Sequence, residues 1–143
     1  MYKLKFKLVL LCFLTLTSSC SLKTSIKGEF LLENSYRLIK EFIEGVECSA
    51  EESLFLTTSK LYVHKDETFD LSLKYKTEQT LELNGTYKLY VGDVGHSGDG
   101  YIVIDGIEIP LTFENSYFLI FDLPTKYNYG NNNEIHTLRF QRW

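Results

Sequence analysis

Three histidines, one serine- and aspartate-bearing glycine stretch and three cysteines are the side chains here whose types invite a chemical reading. His64, His96 and His136 fall on separate stretches, with no i,i+4 pair and no thiol companion. Zinc ligands come as closely spaced pairs, so isolated surface histidines and no bound metal are the expectation. Gly95-His96-Ser97-Gly98-Asp99 approaches the G-x-S-x-G elbow that exposes a nucleophilic serine, but Asp99 stands where the second glycine is required. A glycine-rich connection between two strands is the expected form. Asp93, Asp99 and Asp105 lack the alternating oxygen ligands and closing glutamate of an EF-hand loop. Cys48 sits among Glu47, Glu51 and Glu52, whose charge disfavours a thiolate, so a small buried residue is expected there. No catalytic set and no cofactor site assembles from these residues. The catalytic alternative is a hydrolase acting through Asp or Glu, and it requires two carboxylates converging in a cleft roughly 5–9 Å apart.

Cys20 is a different case, because of what precedes it. Lys3, Lys5 and Lys7 form a positive segment, Leu8–Leu16 a short apolar core, and Thr17, Ser18 and Ser19 a run of small residues. That order is a secretory signal, and the apolar stretch is too short for a spanning helix. Small residues leading straight into Cys20 resemble the lipobox of bacterial lipoproteins. Position 17 is Thr and the nearest leucine is Leu16, one place early, as in the looser lipoboxes of some bacterial groups, spirochaetes among them. The resemblance implies removal of residues 1–19, acylation (palmitate among the chains) of Cys20 as the lipid-attachment site, and export to the cell envelope. Ser21 is not the aspartate associated with inner-membrane retention, so the outer membrane is the implied address. The alternatives are an ordinary cleaved leader with a chance cysteine, or an uncleaved anchor. One acyl chain binds a membrane marginally and two hold it durably, at about 0.8 kcal/mol per buried methylene.

Without the leader, residues 20–143 make one domain: a polar tether, 20–27, and a single β-rich unit, 28–143. Twelve Lys and Arg remain there against 19 Asp and Glu. Such an acidic surface excludes nucleic acid, whose binding rests on cations meeting phosphates, and disfavours anionic lipid. Charged partners are expected to be basic. Cys48 has no thiol partner once Cys20 is acylated, whereas a free Cys20 would permit a Cys20–Cys48 bridge.

Apolar Leu32, Tyr36, Ile39, Phe42, Ile43 and Val46 recur at three- and four-residue steps, which predicts one short N-terminal amphipathic helix over 31–46, stopped by Gly45. Tyr36, Leu38 and Phe42 also fit an alternating strand. Beyond residue 54 the period becomes two. Phe69, Leu71, Leu73 and Tyr75 alternate with polar residues, as do Leu81, Leu83, Tyr87 and Leu89, with a bulge or bend expected at Gly85. Asp105-Gly106 between two β-rich runs predicts a two-residue hairpin, and Pro110, unable to donate, predicts an edge or bulge. Tyr117–Asp122 reads as a strand buried on both faces, and His136–Trp143 as the last strand.

These elements predict a mainly β fold, an antiparallel up-and-down meander closing into a barrel or half-barrel, with a two-sheet β-sandwich as the alternative. The runs Lys65-Asp66-Glu67-Thr68-Phe69 and Gly85-Thr86-Tyr87-Lys88-Leu89 resemble motifs of small lipocalin-like bacterial lipoproteins. That resemblance implies a barrel able to hold an apolar ligand. The loop Lys126–Asn133 has the Tyr, Asn and Gly of binding loops, which makes Tyr127, Asn128, Tyr129, Asn131, Asn132 and Asn133 candidate partner-binding residues. The functional expectation is a membrane-anchored lipoprotein that binds a protein or a hydrophobic small molecule, without catalysis. A structural surface-coat role is a further alternative.

Overall fold

A computed structural model of the chain describes residues 34–91, 97–128 and 133–143; the leader, Cys20 and the tether lie outside them. Nine strands follow in chain order: β1 (Asn34–Ile43), β2 (Val46–Glu47), β3 (Lys60–Val63), β4 (Thr68–Lys74), β5 (Thr80–Val91), β6 (Gly98–Ile104), β7 (Ile107–Glu114), β8 (Phe118–Leu123) and β9 (His136–Arg142). Every pairing is antiparallel between sequence neighbours from β3 to β9. β1 pairs with both β3 and β9, which closes an eight-stranded up-and-down barrel, while β2 is a two-residue return against the end of β1. That closure overturns the sandwich: one continuous sheet has no second layer to pack against.

Period-two alternation builds the wall. Phe69, Leu71 and Leu73 of β4 point inward and are buried while Asp70 and Lys74 face solvent. The same alternation drives Ile109, Leu111 and Phe113 of β7 and Leu138 and Phe140 of β9 into one core. At Gly85 there is close approach rather than a bulge. Its pairing runs unbroken to Phe69 on one side and Ile104 on the other, and a Cβ there would lie 2.1 Å from the Val103 carbonyl oxygen. Asp105 and Gly106 both have positive φ, 52° and 75°, and form the expected hairpin turn.

Two expectations fail for physical reasons. Over 34–43 the chain is β1, and no α-helix occurs among the described residues. A register shift against β9 between Leu38 and Lys40 inserts an extra residue, so Tyr36 and Leu38 face inward before it and Glu41 after it. The apolar stripe that suggested a helix is not the buried face: Ile39, Phe42 and Ile43 are only half-buried, and the inward positions are 36, 38 and 41. β8 is buried on its inner face only. Leu119, Phe121 and Leu123 are inside, and the outer ring of Phe118 is half-covered by the Arg139 guanidinium 4.1 Å from its centroid.

The barrel has two distinct ends. β1 begins at the proximal end, which also holds the turns His64–Glu67 and Glu114–Tyr117 and the exposed Trp143. The distal end holds the turn Glu44–Gly45, the segment 48–59, the Asp105–Gly106 turn and residues 124–128 and 133–135, with the 3-10 turn Thr125–Tyr127.

Candidate functional site

The distal end carries the polar chemistry, and it starts from the bulge in β1. By setting Glu41 inward, the bulge buries a carboxylate, which needs donors on every side. Glu41 Oε1 lies 2.7 Å from His136 Nδ1, and Oε2 accepts from the Ser53 hydroxyl at 2.6 Å and the backbone N–H groups of Leu54 at 3.0 Å and Phe55 at 3.4 Å. Which of the two donates across this contact depends on the imidazole tautomer. His136 is wholly buried, contrary to the surface histidine expected from the sequence, and its Nε2 lies 3.6 Å from Glu134 Oε2. Serine, carboxylate and histidine are thus in contact, but with the carboxylate in the middle. A nucleophilic triad places the histidine next to the serine, so this arrangement ties 48–59 to the barrel rather than activating Ser53.

A second feature lies between β7 and β8. The two-residue turn makes Ile104 and Ile107 a hydrogen-bonded pair, and hydrogen bonding then alternates along β7. Position 110 therefore directs its amide nitrogen away from β6, toward β8. Pro110 has no N–H to offer, and the β7–β8 ladder stops at Leu111↔Phe121, one step short of the pairing that would use it. Beyond that point a seam opens in the wall. It is a groove of about 370 Å³ lined by Ile107, Ile109, Leu123, Pro124, Ile135 and the flanks of Asp122 and Lys126. Ile107 and Ile135 remain 49% and 46% exposed. Across its mouth Asp105 holds Lys126 at 2.7 Å and accepts a hydrogen bond from the Tyr127 hydroxyl.

The candidate loop residues divide. Tyr127 packs on the core and its carbonyl accepts from the Tyr75 hydroxyl at 2.8 Å. Asn128 is fully buried and donates to the Glu134 carbonyl, so both position the loop and Asn128 offers no surface to a partner. Asn133 is exposed, while Tyr129, Asn131 and Asn132 lie outside the described residues. Cys48 is half-buried rather than buried, lining a groove of about 310 Å³ with Lys40, Glu47 and Lys76. Burial pushes its thiol pKa up, and Glu41 and Glu52 push it further. Asp99 lies within β6, Ser97 accepts from the Asn115 N–H, and His64 meets Asp70 at 2.6 Å near the proximal end. His96 and Asp93 lie outside the described residues. No sequence signal announced Glu41 as a partner of His136, because the two are 95 residues apart.

Among the described residues the core side chains from Tyr36 to Phe140 keep no more than 7% of their surface, while Leu81 and Leu83 of β5, opposite Leu73 and Leu71, are only partly buried. Eight strands enclose a volume that side chains can fill or that can hold one small ligand. Charge separates along the axis. The proximal half (34–38, 60–71, 86–91, 97–101, 111–120, 139–143) has six Lys and Arg against five Asp and Glu. The distal remainder of the described residues has four against eleven. No protein-family model matches this chain, and no curated protein or solved structure is detectably similar to it.

Proposed function

We propose that this chain is an exported lipoprotein, acylated at Cys20 and anchored to a bacterial membrane, by the lipobox resemblance the outer membrane, that works by binding a basic protein partner at its distal end. The observation that carries this reading is the opposition of the two ends. β1 starts at the near-neutral end, so the chain coming from Cys20 enters the barrel there, and the acidic end faces away. An anionic lipid surface repels that acidic end, which favours the same orientation. The lipocalin-like resemblance suggested an apolar cargo inside the barrel. The tightly buried side chains that fill most of the described core favour a partner on the outside instead.

Labelled palmitate and the mass of the mature N-terminus test the anchor. Incorporation that disappears in Cys20→Ser, together with detergent-phase partitioning, is the expected result. A soluble product with a free thiol at position 20 overturns it. Uptake of a fluorescent fatty acid by purified Cys20→Ser protein would overturn the choice of a protein partner over an apolar cargo.

A further inference from the structure

We propose that the seam between β7 and β8 is the docking site for an aliphatic side chain of a partner segment flanked by lysine or arginine; this deepens the binding reading above and rests on it. The wall opens there because Pro110 cannot donate to β8, so the gap is built into the chain and needs no rearrangement to form. Its lining is apolar, and two isoleucines, Ile107 and Ile135, keep nearly half of their surface in water. Burying such surface is what an aliphatic anchor gains, at about 25 cal/mol per Å².

Charge selects the occupant. Asp122 lines the groove, Glu108 lines the neighbouring groove that shares β7 with it, and its own cation, Lys126, is already held by Asp105. The surrounding half of the barrel carries the excess of carboxylates described above. A second copy would bring the same acidic end to the contact and be repelled. Anionic lipid headgroups and nucleic acid are disfavoured for the same reason. A segment with an aliphatic residue between cations satisfies both features at once.

The experiment uses the Cys20→Ser chain in buffer, so that no lipid competes for the probe, and a short peptide alternating leucine and lysine. A serine–lysine peptide and a leucine–glutamate peptide are the controls, with affinities read by calorimetry at physiological salt. The leucine–lysine peptide is expected to bind, and each control about tenfold or more weaker. Ile107→Asp combined with Ile135→Asp adds negative charge, so attraction by charge alone would tighten binding. The seam predicts about tenfold weaker binding instead. Pro110→Val restores the missing donor, lets the ladder run on, and is expected to weaken binding while leaving the melting transition cooperative. Equal binding by the serine–lysine peptide, or unchanged or tighter binding by the isoleucine double variant, overturns the proposal. Should that variant unfold, Pro110→Val and Ile135→Ala carry the decision, and unchanged affinity in both overturns it. The palmitate result is independent: loss of the anchor with peptide binding intact refutes the address and not the seam.

Discussion

The proximal and distal ends of the barrel solve closure in opposite ways. Near the start of β1 the wall is sealed by regular ladders. Tyr36 pairs with Leu61 on one side and Arg142 on the other, and Phe69, Leu71 and Ile102 are buried in the same core. At the distal end both ladders fail locally, β1 through its bulge and β7 through Pro110. Polar groups then do the sealing: Glu41 and His136 under the segment 48–59, and Asp105 with Lys126 and Tyr127 across the seam. Where the backbone supplies the closure, the surface stays near neutral. Where side chains supply it, unbalanced charge collects; grooves occur on both sides of the divide, one of about 550 Å³ being lined by Tyr90, Asp99, Tyr101, Glu108 and Thr112. Sites that recognise partners arise more readily in the second kind of region, because regular ladders leave little for a ligand to contact.

The most severe way to break this contrast is Glu41→Ala. It strips two strap amides, a hydroxyl and a buried imidazole of their shared partner, and breaking such a pair costs about 3–5 kcal/mol. Denaturant unfolding is expected to show that loss, with hydrogen exchange rising first in 48–59 and last in β4. Uniform exchange across both ends would mean that Glu41 does not hold the strap. Gly85→Val tests the sealed end. Its Cβ would meet the Val103 carbonyl at 2.1 Å and the Phe69 ring at 2.9 Å, and overpacking of this kind costs about 1–3 kcal/mol. An unchanged melting temperature would show that the wall yields there.

Smaller effects sharpen the electrostatic side. Glu108→Lys with Asp122→Lys should weaken capture of the leucine–lysine peptide several-fold at low salt and little at high salt, as screened surface charges require. Stability should stay within about 0.5 kcal/mol, as for other surface changes. An affinity loss that persists in high salt would point to lost packing instead. Smallest is Tyr36→Phe. The Tyr36 hydroxyl finds no partner among the described residues, and burial pushes its pKa up to about 12, with Arg142 pulling down and Tyr87 pushing up. A raised folded-state value means that stability is fully present below about pH 10 and falls as pH rises toward 12. Tyr36→Phe should remove part of that alkaline loss while changing stability little at neutral pH. An identical alkaline limb in both proteins would show that Tyr36 ionises freely in the folded state.

The strands from Leu61 to Trp143 were legible because each buries one face, which writes apolar residues at every second position. β1 was misread because its bulge adds a residue midway. The apparent helical step comes from Tyr36, Ile39 and Phe42, of which only Tyr36 is buried and inward. The loop 126–133 was recognised as distinctive by composition. That Tyr127 and Asn128 are committed to the protein itself follows from partners 22 residues away in one case and six in the other. The seam was half legible. Pro110 foretold an interrupted ladder, but which neighbour would be lost depended on the register set by Asp105-Gly106.

Local chemistry along the chain determined the period of the strands, the two-residue turn, the missing donor at position 110, the acidic balance and the leader with its cysteine. These depend on covalent neighbours and on composition, so no fold is needed to read them. Tertiary structure alone decided that β1 meets β9, that Glu41 turns inward to His136, and that the carboxylates gather at one end. Each of those is a meeting of residues far apart in the chain, chosen by which arrangement closes the sheet and leaves no buried charge without a partner.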